Sequence, residues 1–163
     1  MSLFSRRFLL FLPTAVALAA CGFSPVYGPD GTATELRGRV LIDEPFDKDS
    51  YLLVRDLEQI LGQTKAPIYR LSYILLTGTQ GQAITAEGDI TRYSIVGEVA
   101  YTLRKADTET IVASGDVNNF TGYSATGTTV ETLASERDAY ARLMNILADQ
   151  IAIRLYSTVK IPQ

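Results

Sequence analysis

The sequence predicts an α+β fold, a two-layer sandwich with a four-stranded, mostly antiparallel sheet and two helices on one face, in the order β-α-β-β-β-α. Three observations point there. Several stretches alternate apolar and polar residues with period two, two segments with capping residues carry apolar side chains at helical spacing, and the last three alternating stretches are joined by short polar connections. At 163 residues, 47% hydrophobic and 20% charged, the chain suits one domain with one core.

The elements follow in chain order. Leu36 to Asp43 sets Leu36, Val40 and Ile42 against Arg37, Arg39 and Leu41, a half-buried strand. Asp47, Asp49 and Ser50 offer N-cap acceptors to a helix from about residue 50 to 61, with Leu53, Leu57, Ile60 and Leu61 on one face and Gly62 as its stop. After Pro67, Ile68 to Leu76 is apolar on both sides, which suits a central strand, and the Gly-containing stretch Thr77 to Gly81 reads as a turn. Ile90 to Arg104 is a long strand with Ile95, Gly97, Val99, Tyr101 and Leu103 inward. Lys105 to Thr110 suits a hairpin loop, and Ile111 to Tyr123 supplies the partner strand, with Ile111, Ala113, Gly115 and Val117 inward.

The last element carries the strongest signal. Thr128 and Glu131 have the spacing of a capping box, and Leu133, Tyr140, Leu143, Met144, Leu147, Ile151 and Leu155 follow at helical spacing. Asp138 and Arg142 are an i,i+4 pair on the wet side. Two such helices cover one face of the sheet. The other face, expected to carry Arg37, Arg39, Arg70, Glu98, Arg104 and Asp116, is left to water or a partner.

The N-terminus reads as an address. Arg6 and Arg7 precede the apolar run Phe8 to Ala20, which is too short for a transmembrane helix of about 20 residues and stops at Gly22 and Pro25. Residues 1–20 are therefore expected to be a signal peptide and residues 21–35, rich in Gly, Pro, Ser and Thr, a tether, with the folded domain over 36–163. Leu18-Ala19-Ala20-Cys21 resembles the lipobox of bacterial lipoprotein precursors. Cys21, the single cysteine of the chain, is then the lipid attachment site, its acyl groups (palmitate among them) holding the protein to a bilayer.

Composition removes much chemistry. With no histidine, Ser-His-Asp and Cys-His catalysis and His-bound zinc are excluded, and one cysteine excludes internal disulfides and iron–sulfur clusters. A net charge of -3 opposes general nucleic-acid binding. Ser157 and Lys160 have S-x-x-K spacing at the extreme C-terminus without its partner motifs, and Gly122 to Gly127 misses the G-x-S-x-G elbow by one residue. Asp47, Asp49 and Glu58 fall at calcium-loop spacing, but Tyr51 and Leu52 stand where a ligand and a glycine are needed. No catalytic residue, metal or cofactor is expected. A carboxylate-pair hydrolase ranks last among the readings, since the acids are scattered.

The basic residues keep two readings open, a solvated face or recognition of a phosphorylated lipid by Arg37, Arg39, Arg70, Arg92, Arg104 and Lys105, whose guanidinium groups fork phosphate oxygens. Strand register decides which of them converge.

Three stretches together resemble the LptE family of lipopolysaccharide-assembly lipoproteins in its alphaproteobacterial form. They are Ala20 to Tyr27 at the acylation site, Asp89 to Val96 leading into the long strand, and Ser135 to Arg142 through Gln150 to Leu155. The resemblance implies a non-enzymatic subunit at the periplasmic face of the outer membrane, lodged in a large LptD-type β-barrel, supporting its assembly and helping lipopolysaccharide reach the outer leaflet. The resemblance does not carry over which basic residues meet lipopolysaccharide; Arg92, inside the second stretch, is the first candidate among them. An auxiliary periplasmic lipoprotein of an ABC-type transport system is the alternative.

Overall fold

The computed structural model describes residues 31–84, 88 and 90–159. Cys21, the expected signal peptide and most of the expected tether lie outside them, as does Lys160. The chain forms α1 (Thr32–Leu36), β1 (Val40–Ile42), α2 (Lys48–Leu61), β2 (Tyr69–Ile84), β3 (Ile90–Lys105), β4 (Ile111–Ser124) and α3 (Thr129–Thr158). The strands lie in the order β1-β2-β3-β4. β1 and β2, joined through α2, run parallel, and the other neighbours are antiparallel. The expected fold class is the one observed, an open mixed sheet with both long helices on one face, preceded by one short helix that periodicity did not announce.

The helix starts are written in side chains. The Asp47 carboxylate accepts from the Ser50 N–H at 2.7 Å while Ser50 Oγ accepts from the Asp47 N–H at 2.9 Å. At α3, Glu131 Oε2 accepts from the Thr128 N–H at 2.7 Å and Thr128 Oγ1 from the Glu131 N–H at 3.4 Å. Each box satisfies donors that a helix start leaves orphaned. From these starts α2 and α3 run side by side, burying Leu53, Leu57 and Leu61 with Leu143, Leu147, Ile151 and Leu155 against Leu71, Ile95, Val99 and Leu103 of the sheet. Gly97 makes the close approach possible, because a Cβ there would stand 2.9 Å from Leu147 Cδ1 and 3.1 Å from Leu143 Cδ2.

Four local expectations are corrected. Leu36 belongs to α1, not to the first strand, because the chain turns at Gly38 (φ +72°), whose N–H bonds Leu61 O at 2.7 Å. β1 is therefore only three residues long, and Arg37 and Arg39 precede it. Thr77 to Gly81 is strand and not turn: Thr77 pairs with Gly97 and Gly81 with Tyr93, and the ladder to an equally long β3 overrides the local preference of glycine. β2 runs on to Ile84, which pairs with Ile90 of β3. Ile111 is outward and 57% exposed, because Ile111 and Val112 together oppose Arg104 in a bulge that shifts the alternation by one. Finally, Leu133 is 44% exposed. Thr121 Oγ1 donates to Ala139 O at 2.9 Å, so only three residues of β4 remain to back the ten helical residues before Ala139.

Candidate functional site

The face of the sheet away from the helices has no covering element among the described residues. Its cross-strand rows follow from the register. Leu41, Arg70, Arg104 and Ile111 form the first, at the end where α2 and α3 finish. Rows of Ser72, Thr102 and Ser114, then Ile74, Ala100 and Asp116, then Leu76, Glu98 and Asn118 come next. Gly78, Val96 and Phe120 follow, and at the far end Arg92 lies opposite Ser124.

Apolar side chains run through the middle of this face. Ile74 is 65% exposed, Leu76 64% and Phe120 68%. The alternation that marks β2 as apolar on both sides thus reflects a buried face and a bare one. Sequence reasoning missed this stripe, although Ile74, Leu76 and the outward Val96 signal it.

At the far end the face dips into a cavity of about 670 Å³ lined by Arg92, Ser94, Phe120, Gly122 and Ser124, with Gln82 at its side. Arg92 is exposed and Ser94 buried. Behind it, on the covered side, Tyr93 and Tyr123 stack with ring centroids 5.3 Å apart. Burial pushes the Tyr123 phenol up from its ordinary pKa, with Glu136, Tyr93 and Tyr140 adding to the shift, so it stays neutral and packs as an apolar ring.

The six expected phosphate-binding residues do not converge. Arg70 and Arg104 face each other across adjacent strands. Arg92 is twelve residues from Arg104 along β3, about 40 Å at the rise of an extended strand. Lys105, opposite Tyr69, is exposed at the same end as Arg70. Arg39 is ion-paired to Glu35, and Arg37 lies on the helix side, beside Gln59, Ile60 and Tyr156. Arg37 therefore does not join the uncovered face, contrary to expectation, and Arg39 is taken up by Glu35. Asp138 and Arg142 make the expected ion pair, and Arg142 Nη2 also donates to Gly122 O at 3.3 Å.

The acids do other work. The Ser50 hydroxyl and N–H hold the Asp47 carboxyl below its ordinary pKa, while burial pushes Asp49 up and Thr77 Oγ1 donates to it at 3.2 Å. Glu58 lies within α2. Asp56 is buried between α2 and α3, its Oδ1 taking the Arg55 guanidinium at 2.6 Å. Among the described residues no group of three or more Cys, Asp or Glu could hold a metal ion, and no helix is long and apolar enough to cross a membrane.

Fold and face together define an open-faced α+β module whose bare sheet is apolar in the middle and basic at both ends. Structures of similar fold have been solved. A candidate lipoprotein from Caulobacter crescentus CB15 superposes with a TM-score of 0.65 at 20% identity, over 80% of this chain and 96% of that one. Rare lipoprotein B from Shewanella oneidensis gives 0.56 at 11% identity, covering 74% and 93%. Lipoprotein B from Nitrosomonas europaea gives 0.57 at 15%, covering 74% and 83%. No curated protein sequence matches the chain. The model of the LptE family, described as lipopolysaccharide-assembly, matches residues 39–155, which span all four strands and nearly all of both long helices. The chain belongs to the LptE family of lipopolysaccharide-assembly proteins.

Proposed function

We propose that this chain is an outer-membrane lipoprotein, anchored through Cys21 at the periplasmic face, that lodges in an LptD-type β-barrel and helps lipopolysaccharide pass to the outer leaflet. One observation carries the reading beyond the family. The uncovered face joins an apolar stripe, Ile74, Leu76, Val96 and Phe120, to a cavity edged by Arg92, and an amphiphile with acyl chains and phosphates needs that combination. The acyl chains lie along the stripe and a phosphate meets Arg92. Ser72, Thr102, Ser114, Glu98, Asp116 and Asn118 make much of the remaining face polar, which suits a barrel lumen. The role is one of binding and support, with no bond made or broken by the chain.

Two measurements on the lipidated protein test this. Mild-detergent extraction from native membranes should bring down a large heat-modifiable barrel; recovery of an inner-membrane transporter instead would contradict the reading. Lipopolysaccharide binding should weaken about tenfold or more in Arg92→Glu, as expected when a charge-assisted phosphate contact becomes a repulsion. Arg104→Glu, some 40 Å away, should leave that binding unchanged. Equal affinity of Arg92→Glu and the unaltered chain would remove Arg92 from the site.

A further inference from the structure

The first row of the uncovered face holds an arrangement that the fold does not explain. Arg70 and Arg104 are directly opposite on neighbouring strands, and neither has a carboxylate partner among the described residues. Like charges in that position repel, so the pair calls for an anion between them. Exposed aliphatic side chains flank it in the same row, Leu41 at 39% and Ile111 at 57%. Lys65 and Lys105 stand exposed at the same end of the molecule and are likewise without an ion pair among the described residues. Asp107 and Glu109 of the adjoining loop stand exposed at this end as well, while Glu131 and Asp138 lie at the other end, where α3 begins.

The basic end is also the end nearest the proposed anchor. α1 leads through Arg37 to Arg39 into β1, and Arg39 O accepts from both Ile68 N and Tyr69 N, which ties the start of the described chain to this edge. Ten residues separate Gly31 from Cys21, and ten residues span at most about 35 Å. A tether of that reach holds this end close to whatever surface its lipid enters.

We infer that the Arg70–Arg104 row is a membrane-docking surface that rests on anionic phospholipid headgroups of the bilayer holding the Cys21 lipid. The two guanidinium groups clamp a headgroup phosphate, Leu41 and Ile111 enter the interfacial layer, and Lys65 and Lys105 add to the attraction. A lipid anchor and a basic patch are two signals that reinforce one another, and together they set the orientation of the domain. With that row against the bilayer, the Arg92 cavity, some 40 Å along β3, points away from the inner leaflet. This rests on the acylation of Cys21 in the reading above and not on the barrel or on lipopolysaccharide.

Hydrogen exchange of the full lipidated chain, its acylation verified by mass spectrometry, tests it. The chain is placed in vesicles of phosphatidylethanolamine with phosphatidylglycerol and, separately, in vesicles of phosphatidylcholine alone. Residues 62–70 and 104–111 should exchange about threefold more slowly or less in the anionic vesicles, and high salt should abolish the difference. Arg70→Glu with Arg104→Glu should lose it too, and the paired Gln substitutions, which keep the fold and remove only charge, should lose most of it.

Equal exchange in the two kinds of vesicle would overturn the inference. So would protection confined to residues 120–128, or protection of the Arg70–Arg104 row by lipopolysaccharide micelles and not by phosphatidylglycerol. An unmodified Cys21 would remove the anchor on which both readings rest. Loss of the barrel from the detergent extract, with the phosphatidylglycerol effect intact, would remove the functional reading and leave this one standing.

Discussion

Successive residues of β3 meet different worlds. Ile95, Val99 and Leu103 are fully buried beneath α2 and α3, whereas Val96, Glu98 and Arg104 lie on the face that nothing in the described structure covers. The strand alternates with period two, so one sheet serves as floor of the core on one side and as an open platform on the other. Stability is concentrated on the covered face because apolar burial there excludes water; the open face contributes little to it and is free to recognise something else. Substitutions on the two faces should therefore separate stability from binding.

The largest effect is expected at Leu147, fully buried and in contact distance of Gly97. Leu147→Ala should cost about 2–5 kcal/mol in chemical denaturation, through lost transfer energy and a cavity. Gly97→Ala comes next. Its Cβ would press on Leu147 and Leu143, at a cost of about 1–3 kcal/mol. Combined with Leu147→Ala it should cost less than the sum of the two, because the new methyl enters the space the leucine leaves. Strict additivity in that double-mutant cycle would mean that Gly97 is not what lets α3 approach the sheet.

Asp47→Ala removes a cap and should cost about 1 kcal/mol. It should also flatten the acid limb of the stability profile. A carboxyl whose folded pKa lies below its ordinary 3.8 contributes stability above the unfolded value, and that contribution is lost as pH falls through the folded one. The unaltered protein should thus lose stability more steeply than Asp47→Ala below about pH 4. Asp49 acts with the opposite sign. Its raised pKa means that the charged form costs the folded state, and protonation relieves that cost as pH falls. Asp49→Asn should accordingly gain slightly or stay level at neutral pH while steepening the acid limb, as thermal melts across the pH range would show.

The smallest change in stability belongs to the open face. Phe120→Ser should stay within about 0.5 kcal/mol in denaturation while weakening lipopolysaccharide binding. A large loss of stability there would break the contrast between the faces, because it would place part of the core where none is described.

Most of the covered face was legible in the sequence. Helical spacing from Leu143 to Leu155, the Thr128–Glu131 capping box, the cap residues before α2 and the alternation of β3 are local patterns, and local patterns survive folding unchanged. What was hidden depends on register. The pairing of β2 with β3 over their full length is what sets Arg70 opposite Arg104, and a turn placed at Thr77 to Gly81 conceals it. The bulge at Ile111 and Val112 moves one side chain from core to surface with no signal in the residue types. Ile74 and Leu76 looked like the second buried face of a central strand, since apolar residues facing a partner and those facing a core are alike in sequence. The cations were visible individually; that only two of the six share a row is a property of the sheet.

The most direct test of the open face as the functional one is in-cell photocrosslinking from a benzoylphenylalanine at position 120, with position 59 on the helix layer as the comparison. Adducts at 120 containing lipopolysaccharide and the barrel protein, with none at 59, are the expected result. Adducts at 59 and none at 120 would contradict it, since the partner would then be meeting the helices and not the bare sheet.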